Sequence, residues 1–351
     1  MIGSHSESGD FRRNMSVSLQ IGPVIVPNRV FLAPMSGVTD TPFRRLAQQY
    51  GAGLVVSEMT ACAGLVDGER EARARSDGRG LGIHVVQLVG CEPRWIAEGA
   101  RIAEAHGANI IDINMGCPSR QVTNGAAGSA LMRDLDHALT LIEAAVNAVQ
   151  VPVTLKMRLG WDTASINARE LARRAQAAGV RMITVHGRTR CQFYDGVADW
   201  TAVRAVKQAV SVPVVVNGDV RSEDDATRAL ALSGADAVMI GRAAQGRPWF
   251  PGDVARYLAT GKRQRKPSLR EQHVLIEGLF DEMLSHHGST IGRRHARKHL
   301  GWALNCAALT AGISTELLKR HRARVLTAEE PVQTRRLLAD AYDAFAWRAA
   351  A

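Results

Sequence analysis

The chain has 351 residues, 46% of them apolar and 5% aromatic, with a formal net charge of +10. That length holds one large α/β domain and a smaller second one, and the apolar content suffices for a buried core. The five cysteines, Cys62, Cys91, Cys117, Cys191 and Cys306, are odd in number and form no C-x-x-C pair. This argues against a zinc site or disulfide framework and fits a reducing cytoplasm, and no run approaches the ~20 apolar residues of a membrane span.

Residues 1–18 are polar, lack the apolar core of a secretory signal, and are expected to form a disordered leader. Eight short β-rich runs follow: Val30–Ala33, Leu54–Ser57, His84–Leu88, Ile110–Ile113, Val153–Lys156, Met182–Val185, Val214–Val216 and Ala237–Ile240. Most gaps between them carry a helical pattern, as in Ile96–Ala105, Ala138–Val149 and Ile166–Ala178. Short apolar strands alternating with helices predict a parallel sheet buried on both faces, and eight such units predict a (β/α)₈ TIM barrel over residues 19–260. A doubly wound sheet is the alternative, but no G-x-G-x-x-G follows the first strand. Thr260–Ser268 is a basic, turn-rich linker. Beyond it only helical periodicity remains, in Leu269–His286, Ile291–Leu309, Thr315–Leu326 and Pro331–Trp347, which predicts a small C-terminal helical bundle over residues 261–351. From Lys262 onward, 16 Lys and Arg stand against 9 Asp and Glu. That excess is either a solvated basic surface or a footprint for a polyanion such as RNA.

In this fold the active site forms at the C-terminal ends of the strands. The first strand runs into Pro34-Met35-Ser36-Gly37, the second into Glu58-Met59, and the third passes through Gln87. The fourth delivers Asn114 and then Cys117, on a turn between Gly116 and Pro118. An inert buried cysteine belongs within the apolar run, so on position alone the reactive and inert readings of Cys117 weigh equally. The fifth strand delivers Lys156 and Arg158, the sixth His186-Gly187-Arg188, the seventh Asn217-Gly218-Asp219 and the eighth Gly241-Arg242. Gly218 and Gly241 allow close backbone approach to a phosphate, with Arg242 as its cationic partner. The groups between suit a flavin. Gln87 reaches the pyrimidine edge of the ring, Lys156 the region that becomes negative on reduction, His186 the ring or phosphate, and Pro34-Met35-Ser36 one ring face. Taken singly, Lys156 fits a structural ion pair equally well, and His186 a satisfied rim histidine.

Together these residues resemble the bacterial tRNA-dihydrouridine synthases, in particular the subgroup of B-type and nitrogen-regulation-like proteins. The matching stretches are Ala33–Asp40, Asp112–Pro118, Lys156–Gly160, His186–Thr189, Asn217–Asp219 and Gly241-Arg242, with Arg297–Trp302 similar to that subgroup's helical-domain signature. The resemblance implies a two-domain enzyme that uses FMN and NADPH to reduce uridine to 5,6-dihydrouridine in the D-loop of tRNA. It implies FMN held by Pro34, Met35, Ser36, Gln87, Lys156, Asn217, Gly218, Asp219, Gly241 and Arg242, with His186 nearby. Cys117 maps onto the catalytic cysteine. The hydride passes from reduced FMN to C6 and the proton from Cys117 to C5, which requires a neutral thiol at rest. Asn114 and Arg158 line the substrate side, and Arg293, Arg294, Arg297 and Lys298 lead the basic residues expected to meet tRNA; Lys319, Arg320, Arg322 and Arg324 complete that set. No metal and no membrane partner are expected, and the chain is taken as a monomer. Two other readings stay open: a flavin barrel acting on a free pyrimidine, like dihydroorotate or dihydropyrimidine dehydrogenases, and a non-catalytic RNA-binding regulator.

Overall fold

A computed structural model describes residues 18–350. The expected leader, residues 1–18, lies outside the described residues apart from Ser18. The described chain opens with an antiparallel hairpin, β1 (Leu19–Ile21) and β2 (Val24–Val26). The strands that follow are β3 (Val30–Leu32), β4 (Leu54–Val55), β5 (Thr60–Ala61), β6 (Val85–Val89), β7 (Ile110–Met115), β8 (Val153–Arg158), β9 (Ile183–His186), β10 (Val214–Asn217) and β11 (Ala237–Ile240). Their pairings are parallel, in the order β4-β3-β11-β10-β9-β8-β7-β6-β5. The ring closes through a parallel bridge from Val56, just past β4, to Val85 of β6, backed by the Ser57 N–H donating to Val85 O at 3.1 Å. β4 and β5 therefore share one barrel position, broken by Ser57-Glu58-Met59; β4 pairs with β3, and β5 with the far end of β6. The eight runs expected from sequence are the eight positions of this barrel.

Strand alternation sorts the side chains into two cores. Inward-facing Phe31, Ala33, Leu54, Val56, Val85, Ile110, Met182, Val215, Ala237 and Met239 fill the barrel, and Ile21 and Val26 of the β1–β2 hairpin plug its lower end. Outward-facing residues such as Leu32, Ile111, Leu155, Ile183 and Val216 join the surrounding helices in the larger core. The hairpin is absent from the sequence expectation because three-residue strands show too little alternation to detect.

The helices are α1 (Thr41–Gln49), α2 (Cys62–Val66), α3 (Arg70–Arg75), α4 (Pro93–Ala105), α5 (Arg120–Thr123), α6 (Leu135–Ala148), α7 (Ala168–Ala177), α8 (Trp200–Lys207), α9 (Glu223–Ser233) and α10 (Phe250–Thr260). Gly261 ends α10 in the left-handed region at φ 70°. After a stretch without regular structure, Ser268 and Glu271 form a capping box that starts α11 (Leu269–His287). Next come α12 (Ser289–Ala311), α13 (Thr315–Thr327) and α14 (Pro331–Ala350). The buried face of α11, Gln272, Leu275, Ile276, Leu279, Phe280 and Met283, has helical spacing and meets Leu300, Leu304, Leu338, Tyr342 and Phe345.

This helical region docks on the barrel at α1. Arg45 pairs with Glu282 at 3.2 Å, and His287 Nε2 lies 2.9 Å from Asp40 Oδ2. The His299 ring sits 5.0 Å from Phe43 and 5.3 Å from Trp302. Among the described residues no helix is long and apolar enough to cross a membrane.

Candidate active site

The alternation that keeps the barrel floor apolar places polar groups at the same inward parity higher up. Asp112 and Asn114 follow Ile110 on β7, Thr154, Lys156 and Arg158 share one parity on β8, and Thr184 and His186 follow Met182. They open into a cleft of ≈ 1110 Å³. Every residue expected at the cofactor lines it: Pro34, Met35, Ser36, Gln87, Lys156, His186, Asn217, Gly218, Asp219, Gly241 and Arg242. Cys117, Asn114 and Arg158 line it too.

The first wall is the loop after β3. The Ala33 N–H still donates to Ile240 O at 2.8 Å, and Pro34 then ends the pairing. The Met35 N–H donates to Thr39 Oγ1 at 2.9 Å, and Asp40 caps α1 through the Phe43 N–H at 3.1 Å. The loop is thus held from both ends by short polar side chains.

Cys117 sits on the turn after β7, fixed from three sides. Asn114 Oδ1 accepts the N–H groups of Gly116 at 3.1 Å and Cys117 at 3.0 Å. Arg158 Nε donates to Gly116 O at 2.9 Å, while its Nη1 donates to the carbonyls of Thr189 and Phe193, both at 2.7 Å. Cys117 O accepts from Ser129 N at 3.1 Å and Oγ at 2.7 Å. Burial pushes the Cys117 thiol above its ordinary pKa, against the opposing pull of the Ser119 N–H and the charges of Arg158 and Lys156. The thiol is therefore neutral near pH 7. Arg158, expected to line the substrate side, is 1% exposed and acts chiefly as a strut between the Cys117 turn and the loop after β9.

On the opposite wall, Lys156 Nζ donates to Asn217 Oδ1 at 3.2 Å, and Asn217 Nδ2 donates to Met239 O at 2.8 Å. Desolvation, then the neighbouring Arg158 charge, lower the Lys156 pKa to about 8, with Asp112 and Cys117 opposing. Desolvation and the cations Arg158, Lys156, Arg188 and Arg242 hold His186 well below the ordinary imidazole pKa, so it is neutral. Gly218 and Asp219 both adopt positive φ, 115° and 52°. Asp219 is the hub of this wall: one carboxylate oxygen takes Arg188 and the Ala198 N–H, and the other faces Arg221 at 3.3 Å and Arg242 at 3.5 Å. Its side chain is saturated by arginines and holds them in place. Tyr194, 51% exposed, lies under Arg242 at 4.9 Å and Arg158 at 5.5 Å from its ring centre.

Arg293, Arg294, Arg297 and Lys298 lie on α12, outside the cleft lining. Arg293 donates to Ala328 O at 3.0 Å and ties α12 to the end of α13, Arg294 is exposed, and Arg297 is half-buried. Lys298 reaches furthest in; its Nζ lies 2.8 Å from where a Cβ would stand on Gly37, in the loop after β3. Near it, Asp40, His287 and His295 bring possible ligand atoms within 4.8 Å of one another, though the Asp40 carboxylate is already engaged by Phe43 N and His287.

Sequence reasoning passed over Asp112 and Tyr194, and placed Arg188 at a strand end without a task. Asp112 carries a readable signal, an acid at inward parity in Ile110-Ile111-Asp112-Ile113-Asn114. Tyr194 carries none, and the task of Arg188 is hidden, because their partners Arg242 and Asp219 are remote in sequence.

The dihydrouridine synthase (Dus) family matches residues 31–340 of this chain. The chain is 52% identical over 319 residues to a probable tRNA-dihydrouridine synthase of Rhizobium leguminosarum bv. phaseoli, covering 91% of this chain and 96% of that protein. It is 49% identical over 316 residues to a probable tRNA-dihydrouridine synthase of Rhodobacter capsulatus, covering 89% and 94%. Against the tRNA-dihydrouridine synthase B of Xanthomonas campestris pv. campestris it is 46% identical over 327 residues, covering 93% and 96%. Among solved structures, the histamine dehydrogenase of Rhizobium sp. 4-9 superposes with TM-score 0.51 at 15% identity over 75% of this chain. The 6-hydroxypseudooxynicotine amine oxidase of Pseudomonas geniculata N1 gives 0.53 at 14% identity, again over 75% of this chain. This chain spans about half the length of those two proteins, covering 50% and 52% of them, and at such identity the likeness concerns the fold alone. With the family match spanning nearly the whole chain and relatives of about half identity aligned end to end, the chain belongs to the dihydrouridine synthase family.

Proposed function

We propose that this protein reduces uridine to 5,6-dihydrouridine in tRNA, using FMN bound in the barrel mouth and NADPH as reductant, with Cys117 as the proton donor. The observation that carries the reading is the neutral Cys117 thiol, fixed by its backbone at the rim of a cleft that also presents the amides of Gln87, Asn114 and Asn217 and the cations Lys156, Arg158 and Arg242. The names of the relatives supply the substrate class.

The cleft fits a flavin nucleotide. Its donor set is cationic and amide-rich, and its Asp219 carboxylate is already neutralised by arginines. The hydrogen bond to Asn217 uses one of three Lys156 N–H groups and leaves two to face a ligand. A Cβ on Gly241 would find only Ala33 Cβ and Met35 Sδ, both at 3.7 Å, so the glycine keeps open a space beside the first loop. In this reading Pro34, Met35 and Ser36 line the ring, Gln87 and Lys156 bind its polar edge, and neutral His186 offers a ring nitrogen. The turn at Gly218-Asp219, with Gly241 and Arg242, receives the phosphate.

Bound FMN supplies the hydride that reaches C6 of the base. The chain supplies the rest. Cys117 donates a proton to C5, and Arg158 and Asn114 hold the turn that aims the thiol. The Tyr194 face, backed by two guanidiniums, offers a stacking surface to an extruded base. The basic helices offer the RNA phosphates exposed Arg294, Lys319, Arg320 and Arg324, whereas Arg293 and Arg322 hold the helices together through carbonyls of Ala328 and Gly301. Cys117→Ala is expected to retain FMN and tRNA affinity while turnover falls by at least about 100-fold, the usual scale of a lost general acid. Wild-type turnover in a flavin-loaded Cys117→Ala protein, assayed as dihydrouridine formed in unmodified tRNA, would refute the role.

A further inference from the structure

Asp112 lies beneath the cleft on β7, 3% exposed, and the chemistry just described makes no use of it. Its Oδ2 accepts from Gln87 Nε2 and its Oδ1 from Thr154 Oγ1, both at 2.7 Å. Gln87 Oε1 accepts from Asn114 Nδ2 at 2.8 Å. Asn114 Oδ1 in turn accepts the N–H groups of Gly116 and Cys117. The chain of bonds runs from a buried carboxylate to the catalytic turn.

We propose that Asp112 is a positioning residue: its carboxylate fixes the amide orientation of Gln87 and, through Gln87, that of Asn114, and so sets both the group offered to the flavin and the seat of Cys117. The part that concerns the flavin rests on the function proposed above; the part that concerns Cys117 does not. Both Asp112 oxygens accept in the structure, Oδ1 from Thr154 and Oδ2 from Gln87, so Gln87 turns its NH₂ toward Asp112. Reversed, Gln87 would set its oxygen against the carboxylate and its NH₂ against that of Asn114. Asn114 would then have to reverse as well, setting its NH₂ against the N–H groups of Gly116 and Cys117. Each amide thus has one orientation compatible with its neighbours, and the acceptor at the base decides all of them. With one N–H spent on Asp112, Gln87 keeps its second N–H to offer the flavin. Burial holds the Asp112 pKa above its ordinary value, with the bonds from Gln87 and Thr154 and the Lys156 charge opposing.

The test is a polarity swap read in the ligand-free protein. Asp112→Asn adds an NH₂ of the same shape, and Gln87→Glu sets two carboxylates together. In the double variant the new amide at position 112 donates to the new carboxylate at position 87. That carboxylate also accepts from Asn114, so the turn is re-seated while the N–H toward the ligand stays lost. Amide hydrogen exchange at Gly116 and Cys117, followed by mass spectrometry, is expected to speed up roughly tenfold in Asp112→Asn, the scale of a lost charge-assisted bond. It is expected to return to within about threefold of wild type in the double variant. FMN affinity is expected to fall roughly tenfold in both. Wild-type exchange in Asp112→Asn, or a double variant no slower than Asp112→Asn, overturns the proposal. The expected exchange pattern in a wild-type protein that takes up no FMN supports the role of Asp112 and sinks the flavin reading instead. If Asp112→Asn does not fold, melting temperatures decide: the double variant must be more stable than Gln87→Glu, and equality overturns the inference.

Discussion

Lys156 and Cys117 face one cleft and must both keep their protons, yet burial acts on them oppositely. It raises the Cys117 pKa and lowers that of Lys156 to about 8. As pH rises, Lys156 therefore discharges first, while the thiol is still neutral. FMN affinity is expected to fall through about pH 8 in the wild type and to be flat from pH 7 to 9 in Lys156→Met, measured by flavin fluorescence titration. A wild-type affinity unchanged across that range would contradict the assignment of Lys156 to the ligand. At this scale the sequence was legible wherever a polar residue followed an apolar strand: Gln87, Asn114, Lys156, His186 and Asn217 all lie in the cleft. Individual tasks were less legible. Arg158 looks like a substrate contact in sequence, but its carbonyl partners at Gly116, Thr189 and Phe193 come together only when three loops meet.

The turn after β10 shows what a loop in this barrel demands of its residues. Gly218 has φ 115°, and a Cβ there would lie 2.7 Å from Ala198 Cβ and 2.9 Å from His186 Cδ2. Its carbonyl also accepts the Trp200 indole N–H at 2.8 Å, so the turn has little freedom to move away. Gly218→Ala is expected to cost about 2 kcal/mol through backbone strain and the clash, and to displace His186. Urea denaturation checks the first expectation; an unchanged midpoint would show that the turn yields. The sequence announced this element because a glycine after an apolar strand is itself a turn signal. It did not announce the break between β4 and β5, where Glu58 stays buried in an otherwise strand-like run. Burial raises the Glu58 pKa, with the Gly37 N–H, Arg75 and Lys298 opposing, so this strand-end acid belongs to the interior.

The helical region is bound to the barrel by histidines. His299 is 2% exposed between Phe43 and Trp302, and desolvation lowers its pKa to about 4 despite the attraction of Asp40. In the unfolded chain it takes up its proton near the ordinary 6.5, so between these values the unfolded state binds more protons. Stability is full above pH 6.5 and declines as pH falls toward 4, by roughly 3 kcal/mol from this residue at about 1.4 kcal/mol per pKa unit. Asp40, Lys298 and His295 also act on the ring, the first favouring its protonated form and the other two opposing it. His299→Phe keeps the ring contacts and removes the proton, so its melting temperature is expected to drop less between about pH 6.5 and 4.5 than that of the wild type. An equal drop in both would place the acid sensitivity elsewhere. The barrel and the four helices were each legible in the sequence as a repeat of strands and as amphipathic runs. Their junction was not, since Asp40 and His287 are 247 positions apart and each looks like an ordinary capping or surface residue alone.

A closed barrel is also a hoop, and a hoop is as strong as its weakest joint. Five residue pairs join β7 to β8, whereas the other side of β6 is held by a split joint: the Val56–Val85 bridge just past β4, and the pairs Thr60–Leu88 and Ala61–Val89 from β5. Across that joint, Ser57 Oγ accepts the Gln87 N–H at 2.9 Å, so a side chain stands in where the strand ladder stops. The seam of the hoop, where one strand leaves β6 and the next has yet to join it, therefore lies at Gln87. The seam of the hoop and the chemically exacting part of the cleft therefore share one address, and any ligand held by Gln87 sits against the seam.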